Sequence, residues 1–184
     1  MGLTLPLHLE PRWHSRAQLR RGVVSAPLRD WLLEPGSLTR RLRACCDGQF
    51  HVQVLSQKLQ RPHRSEAQAL RRPAHELALV RQVLLCCDTR EWVYARTVIP
   101  LPSLRGGLQG LTRLGNRPLG ELLFADPGMQ RGPIEVSPLR GALPGQSHLH
   151  ETDSSWGRRS VFTLWGQPLL VSEFFLPALW RGSR

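Results

Sequence analysis

Arg81 and Glu173 are full charges in the middle of two segments that are otherwise apolar. Successive side chains of a β-strand point to opposite faces of the sheet. Arg81 therefore shares its face with Val83, Glu173 shares its face with Val171, and the opposite faces are no more polar. An unpaired charge in such a strand costs on the order of several kcal/mol, so each of these charges needs a compensating partner.

Two interpretations of this pair remain open from the strand pattern alone. Either Arg81 and Glu173 form an internal salt bridge or reach water at a sheet edge, or both line a closed pocket and face a small polar ligand. In the second case the guanidinium fork would bind a carboxylate, and the carboxylate of Glu173 would accept a hydrogen bond from a hydroxyl group. The second interpretation makes the two strands walls of a ligand site.

Both charges fall in predicted β-hairpins. The segments 77–87 and 91–99 are rich in β-forming residues and are separated by a short polar turn. The segments 159–165 and 168–176 form a second pair, separated by the predicted turn Gly166-Gln167. Strands that cluster in hairpins, rather than alternate with long helices, predict an antiparallel sheet and a single domain of the α+β class.

A helix–turn–helix is predicted before the first hairpin. The apolar spacing indicates a helix that starts at Pro27 and stops at Pro35, and Ser37 can cap a second short helix carrying Leu38 and Leu42. The remaining predicted elements are strands at 51–55 and 134–136, short helices at 103–115 and 117–124, and polar loops at 58–75 and 141–155.

The length of 184 residues predicts one domain with short extensions. We expect a basic N-terminal arm at residues 1–24, a folded domain at 25–180 and a tail at 181–184. Lys and Arg number 25 against 14 Asp and Glu, which gives a net charge of +11. Because the arginines are spread along the chain, and the segment 27–46 lacks a polar recognition helix, we predict no specific nucleic-acid partner.

The apolar runs and the cysteines bear on the cellular compartment. Membrane insertion needs about 20 consecutive apolar residues, and the best run, 168–180, contains Glu173. The N-terminal segment has no apolar block of the kind found in secretory signals. The cysteines form two adjacent pairs, Cys45-Cys46 and Cys86-Cys87, and adjacent cysteines rarely bridge each other. These features predict a reduced, soluble, cytoplasmic protein without membrane insertion.

No metal site is predicted. The cysteines form no pair with the spacing of zinc ligands, and His148 and His150 lack further ligands nearby in the sequence. Glycine-rich phosphate loops and nucleophile elbows are also missing from the sequence.

Six segments, occurring in the same order, resemble the chorismate pyruvate-lyase family, the 4-hydroxybenzoate synthases of ubiquinone biosynthesis. They are Leu38-Thr-Arg-Arg, Arg81-Gln-Val-Leu-Leu-Cys, Arg96-Thr-Val-Ile-Pro, Pro118-Leu-Gly-Glu-Leu-Leu-Phe, Trp156-Gly-Arg-Arg-Ser and Pro168-Leu-Leu-Val-Ser-Glu-Phe-Phe-Leu-Pro. The resemblance covers roughly residues 25–180. The Trp-Gly-Arg-Arg-Ser segment and the Glu-Phe-Phe-Leu-Pro sequence are its most specific parts.

The resemblance implies that the protein cleaves chorismate to 4-hydroxybenzoate and pyruvate without a metal or an organic cofactor. It also implies a monomer in which helix–turn–helix flaps cover an interior ligand pocket on an antiparallel sheet. The expected partners are the substrate chorismate and the product 4-hydroxybenzoate. The alternative is a ligand-sensing domain of the same fold, as in certain bacterial transcription regulators, which would keep the pocket without the chemistry.

The resemblance also assigns roles to individual residues. The arginine that holds the carboxylate of the ligand falls on Arg81, and the glutamate near the ring hydroxyl falls on Glu173. A backbone contact to the ligand falls on Leu119, and a methionine of the pocket wall is replaced by Leu38. Arg81 and Glu173 are therefore the expected catalytic residues, and all four are expected to bind substrate and product.

The second carboxylate of chorismate, on the enolpyruvyl group, calls for a second cation. Arg158 and Arg159 are the candidates that follow from the sequence. A closed pocket that fits the product as well as the substrate also predicts slow product release, because the segments around Leu38 and Leu119 would have to move.

Overall fold

The computed structural model describes residues 10–20, 22–139 and 155–181. These residues form an antiparallel sheet with the strand order β1-β6-β7-β8-β4-β3-β2, and β5 pairs with β7 outside this path. The strands are β1 (His14–Ser15), β2 (Phe50–Gln60), β3 (Ala78–Cys87), β4 (Arg90–Pro100), β5 (Gln130–Arg131), β6 (Glu135–Leu139), β7 (Ser155–Leu164) and β8 (Gln167–Phe175). The α+β class with an antiparallel sheet is confirmed.

The helices are short. They are α1 (Ala26–Leu32), α2 (Leu38–Cys45), α3 (Arg64–Ala69), α4 (Leu101–Arg105), α5 (Leu119–Ala125) and α6 (Ala178–Arg181), with 3₁₀ turns at Arg16–Gln18 and Leu108–Arg113. No helix in the described part of the chain has the length and apolar character needed to cross a bilayer.

The two predicted hairpins are present as β3–β4 and β7–β8. Trp165 and Gly166, which join β7 to β8, both have positive φ, 51° and 74°. Two-residue hairpin turns of this kind match the right-handed twist of the strands that they connect. The turn therefore lies one residue earlier than the predicted Gly166–Gln167 turn.

The sheet register places Arg81 and Glu173 on one face. Arg81 pairs with Thr97 of β4, which pairs with Val171 of β8, and residues directly opposite each other share a face. Glu173 lies two positions beyond Val171, so it points to the same face. With β4 between β3 and β8, the two main chains are about 10 Å apart at the usual strand spacing.

The predicted helix–turn–helix forms as α1 and α2. The hydroxyl of Ser37 accepts a hydrogen bond from the N–H of Arg40 at 3.3 Å, as a helix N-cap does. Leu38 and Leu42 are buried on the inner face of α2. Helices α2 and α5 approach so closely that a Cβ at Gly120 would lie 2.8 Å from Oγ1 of Thr39.

The segment 58–75 was predicted to be a polar loop, and this was wrong for much of its length. Strand β2 continues to Gln60, and α3 follows at Arg64–Ala69. Glu66 is buried because its carboxylate pairs with the guanidinium of Arg96, the closer nitrogen–oxygen distance being 2.7 Å. In the sequence Glu66 counts as a polar residue, because its partner Arg96 is far away along the chain. Helix α3 therefore has the composition of a polar loop although it packs against the sheet.

Part of the predicted N-terminal arm packs on the sheet. Strand β1 pairs with β6, Leu19 is buried, and the carboxylate of Glu10 accepts hydrogen bonds from the backbone N–H groups of Arg64 and Ser65. Most of the predicted loop at 141–155, with both of its histidines, lies outside the described residues, as do residues 182–184 of the predicted tail.

The prediction that the cysteines are all reduced was wrong, because Cys46 and Cys87 form a disulfide bond. The bond joins residues 41 positions apart rather than neighbours. Cys46 follows the last residue of α2 and Cys87 ends β3, so the bond fastens the helix to the sheet. Of the two free cysteines, Cys45 is exposed and Cys86 is buried.

Candidate active site

A cavity of about 590 Å³, counted to its mouth, lies between the sheet and helices α2 and α5. Aliphatic and aromatic side chains make up most of the wall. Its charged lining residues are Arg81, Arg131, Arg158 and Glu173.

Arg81 enters the cavity from β3. Its Nη1 donates to Oε1 of Gln57 at 3.0 Å, and its Nη2 donates to the carbonyl of Gly115 at 2.8 Å. Burial lowers the pKa of Arg81. Among the described residues no carboxylate pairs with this guanidinium, so its charge is not neutralised by the protein there.

Glu173 pairs with Arg158 instead of Arg81. The two residues are directly opposite in the β7–β8 ladder, and Nε of Arg158 donates to Oε2 of Glu173 at 2.6 Å. Arg158 is 1% exposed and its Nη1 also donates to the backbone carbonyls of Trp31 and Glu34. The internal Arg81–Glu173 salt bridge left open by the sequence is not formed.

Arg131 is a cavity residue that the sequence did not single out. Its Nε donates to Oγ of Ser160 at 3.1 Å, and its Nη1 donates to the carbonyls of Glu34 and Pro35 at 3.2 and 3.1 Å. Burial, followed by the neighbouring charge of Arg158, lowers the pKa of Arg131 to about 10. Strand β5 has only two residues, too few for alternation to indicate which way this arginine points.

The two predicted flap residues also line the cavity. Leu38 is the first residue of α2 and Leu119 is the first residue of α5. Gly120 and Thr39, where these helices touch, belong to the same wall. The helix–turn–helix and α5 therefore cover the cavity together.

Of the two candidates for the second cation, Arg158 lines the cavity and Arg159 does not. Alternation along β7 turns Arg159 to the other face of the sheet. There its Nε donates to Glu135 at 2.7 Å, and its guanidinium lies 4.7 Å from the ring centroid of Trp13. The assignment of Arg159 to the substrate is thereby corrected.

The cavity suits a small anion with a hydroxyl group. Three guanidinium groups and one carboxylate leave an excess of two positive charges. In a cavity shielded from water such charges act on a ligand more strongly than they would in solvent. The arrangement can bind a dianion and stabilise negative charge that develops during a reaction.

In the described part of the chain, one group of side chains has the spacing of metal ligands: Asp47, Cys87 and Asp88. None of the three lines the cavity. The sulfur of Cys87 belongs to the disulfide bond, and the carboxylate of Asp47 pairs with Arg90. Two of the three residues of this group are therefore already engaged in other contacts.

Comparisons with known proteins show the family of the chain. The model of the family "Chorismate lyase" matches residues 10–184. A Marinobacter nauticus protein named "Probable chorismate pyruvate-lyase" is 39% identical over 179 residues, covering 95% of this chain and 92% of that relative. A Pseudomonas aeruginosa protein of the same name is 44% identical over 158 residues, covering 85% of this chain and 87% of that relative.

Among solved structures, the effector domain of PhnF from Mycobacterium smegmatis shares the fold. Its TM-score is 0.53 at 11% identity, and the match covers 77% of this chain and 89% of that one. The family model and the curated relatives extend over nearly the whole sequence. The chain belongs to the chorismate lyase family.

Proposed function

We propose that this protein is a chorismate pyruvate-lyase, which cleaves chorismate to 4-hydroxybenzoate and pyruvate. One observation carries the proposal: Arg81 and Glu173 line the same covered cavity from strands two positions apart and are not paired with each other. Family membership supports the same activity.

The separation of the two residues suits an aromatic ring between them. Arg81 would bind the ring carboxylate with its guanidinium fork. Glu173 would accept a hydrogen bond from the hydroxyl at the opposite ring position. Arg158 holds the carboxylate of Glu173 in place, so the acceptor is positioned before the ligand arrives. Leu38 and Leu119 would cover the apolar faces and edges of the ring.

The proposed reaction draws its driving force from the substrate. The ether bond between the ring and the enolpyruvyl group breaks, and its electrons go to the departing oxygen. The hydroxyl-bearing ring carbon loses its proton, which makes the ring aromatic, and the enolpyruvate takes up a proton to become pyruvate. The protein has to hold the reactive conformer and stabilise the charge on the leaving oxygen. This chemistry calls for no cofactor.

Closure by α2 and α5 would also slow product release. A cavity that fits chorismate by its ring carboxylate and hydroxyl fits 4-hydroxybenzoate by the same groups. We therefore expect a burst of product in stopped-flow assays, followed by a slower steady rate, and inhibition by added 4-hydroxybenzoate. A linear progress curve that added 4-hydroxybenzoate leaves unchanged would count against a closed site.

We further infer that the enzyme acts as a monomer and that its product feeds ubiquinone biosynthesis. The resemblance to the chorismate pyruvate-lyase family, which implies both properties, supports this inference. Light scattering of the active enzyme tests the oligomeric state. The cytoplasmic location stays a prediction from the sequence.

The deciding experiment mixes the purified protein with chorismate and measures pyruvate release with a coupled dehydrogenase. We expect rapid release by the wild type and a loss of at least about a hundredfold in Arg81→Ala and Glu173→Ala, as for the removal of one charge-stabilising group. Arg105→Ala, at an exposed position outside the cavity, is the control and should keep full activity. A wild type that releases no pyruvate would refute the proposal.

The same assay separates the enzyme from a ligand-sensing domain. The likeness to the effector domain of PhnF favours this second candidate at the level of the fold. A sensor would bind 4-hydroxybenzoate or chorismate in a titration and leave chorismate intact. Pyruvate release by the wild type excludes a purely sensing role.

A further inference from the structure

We propose that Arg131 binds the second carboxylate of the substrate, on its enolpyruvyl group, and thereby selects chorismate over ligands with one carboxylate. The inference rests on the proposed function and extends it to a residue that neither the strand pattern nor the family motifs indicated. Three observations support it: the distribution of charge in the cavity, the position of β5, and the hydrogen bonds of the Arg131 guanidinium.

The first observation is that two of the three cavity arginines form no salt bridge with a carboxylate among the described residues. Glu173 neutralises Arg158. Arg81 and Arg131 donate only to neutral acceptors, which are amide, carbonyl and hydroxyl oxygens. Chorismate brings two carboxylates, one for each of these guanidinium groups. The carboxylates of Glu173 and Glu34 act on Arg131 without a direct contact, whereas Arg158 is bonded to Glu173, so a second carboxylate at Arg158 would lie against that carboxylate and be repelled by it.

The second observation is that Arg131 lies at the Glu173 end of the cavity. Strands β3 and β7 are separated by β4 and β8, which places them about 14 Å apart at the usual strand spacing. Arg81 stands on β3, Glu173 on β8, and Arg131 on β5 beside β7. The ether and the hydroxyl of chorismate are on neighbouring ring carbons. A hydroxyl bound to Glu173 therefore sends the enolpyruvyl group away from Arg81 and towards Arg131.

The third observation concerns the guanidinium itself. Its Nε and Nη1 are held by Ser160 and by the carbonyls of Glu34 and Pro35, whereas Nη2 has no hydrogen-bond partner among the described residues. The group is therefore fixed in orientation and keeps a donor for a ligand. Arg131 is also less buried than Arg158 and lines the cavity.

The test compares two ligands on Arg131→Gln and Arg131→Lys. Because 4-hydroxybenzoate lacks the enolpyruvyl carboxylate, it should bind Arg131→Gln within about twofold of the wild type. The KM for chorismate should rise about 10- to 100-fold, the range for a lost charged hydrogen bond. Arg131→Lys should recover part of this loss. Arg81→Ala should weaken the binding of both ligands.

Calorimetric titration gives a readout that is independent of turnover when 4-hydroxybenzoate is compared with a dicarboxylate analogue of chorismate in which a methylene group replaces the ether oxygen and prevents cleavage. An unchanged affinity for this analogue in Arg131→Gln would overturn the inference. An equal loss of affinity for both ligands would also overturn it, because Arg131 would then act only by holding the carbonyls of Glu34 and Pro35. Thermal unfolding shows whether Arg131→Gln is folded. If it is not, the test uses Arg131→Lys, in which the affinity for the dicarboxylate ligand should fall relative to the affinity for 4-hydroxybenzoate. Absence of pyruvate release in the wild type would refute the proposed function. The two affinities would still show whether Arg131 binds the second carboxylate.

Discussion

Arg158 and Glu173 form an ion pair beneath the proposed ligand. Removing two charges from water is costly, and their attraction compensates only when further hydrogen bonds satisfy both groups. Arg158 meets this condition because Nη1 reaches the carbonyls of Trp31 and Glu34 while Nε reaches Glu173. The pair thus links the end of α1 to the strand that carries the proposed hydroxyl acceptor. We interpret this ion pair as holding the side chain of Glu173 in position.

Glu173→Gln tests the pair. The amide keeps the shape of the side chain and removes its charge, so the buried guanidinium of Arg158 loses its counter-charge. We expect the free energy of unfolding in urea to fall by about 3 kcal/mol, together with a loss of pyruvate release. The double variant Glu173→Gln/Arg158→Met should regain part of the stability and none of the activity.

Glu121→Gln is the control for this experiment. It removes the charge that pairs with Arg43, in an ion pair whose side chains are 53% (Arg43) and 47% (Glu121) exposed. Exposed pairs contribute less than about 1 kcal/mol, so its stability should stay close to that of the wild type. A similar loss of unfolding free energy in both variants would mean that the Arg158–Glu173 pair contributes no more to stability than an exposed pair does.

The individual residues were predictable to different degrees. Arg81 and Glu173 stood out because each is a charge inside an apolar strand, and strand alternation gives their direction. Arg158 and Arg159 could not be told apart, since their directions depend on how β7 lies on the sheet. Arg131 gave no signal because its strand is two residues long and its partners are mostly backbone carbonyls.

At the scale of elements, we propose that the contact between α2 and α5 controls access to the cavity. Gly120 allows this contact, because a Cβ there would lie 2.8 Å from Oγ1 of Thr39. Gly120→Ala should therefore push the two helices apart and loosen the closed state. We expect the inhibition constant of 4-hydroxybenzoate to rise about fivefold, from an overpacking cost of roughly 1 kcal/mol. The steady-state rate should rise if product release limits turnover.

Gly110→Ala is the control for the helix contact. A Cβ at Gly110 meets nothing within 4 Å, so neither inhibition by product nor the burst should change. If Gly120→Ala binds 4-hydroxybenzoate as tightly as Gly110→Ala does, the α2–α5 contact does not hold the site closed.

The disulfide between Cys46 and Cys87 adds a second restraint on α2. It closes a segment with a sequence separation of 41 residues. By the chain-entropy estimate for a segment of this length, the bond contributes about 4 kcal/mol. Cys46→Ser, or dithiothreitol added to the wild type, should lower the free energy of unfolding by about that amount. Dithiothreitol should have no further effect on Cys46→Ser.

Cys45→Ser keeps the disulfide and serves as the control. Cys45 is exposed and free, so its removal should leave stability and the response to dithiothreitol unchanged. Burial raises the pKa of the Cys86 thiol to about 11, and Cys45 should therefore be the faster of the two free thiols to react with maleimide. Four reactive thiols in the denatured, unreduced wild type would contradict the bond.

The elements themselves were predictable where local signals and burial agree. The hairpins have β-rich strands with short turns, and the α1–α2 pair has a proline and a serine at its helix starts. Helix α3 was missed because Glu66 is buried only through Arg96, 30 residues further along. The disulfide was missed for a similar reason, since adjacency in the sequence says nothing about the contact between the end of α2 and the end of β3.

For the whole molecule, the net charge of +11 acts on a dianionic substrate before it enters the cavity. Opposite charges increase the rate of diffusional encounter, and salt screens this effect. The Debye length falls from about 30 Å at 0.01 M to about 3 Å at 1 M ionic strength. The charges within the covered cavity are screened less, because salt screens buried charges less than exposed ones.

We therefore expect kcat/KM for chorismate to fall steeply as ionic strength rises, while kcat changes little. The first constant reports capture of the dianion from solution, and the second reports steps that take place inside the cavity or at its closure. Methyl 4-hydroxybenzoate, a neutral ligand of similar shape, is the control, and its inhibition constant should not weaken with salt. If kcat/KM stays constant across this range, the basic surface does not guide the substrate, and the net charge of the chain is unrelated to capture of the anion.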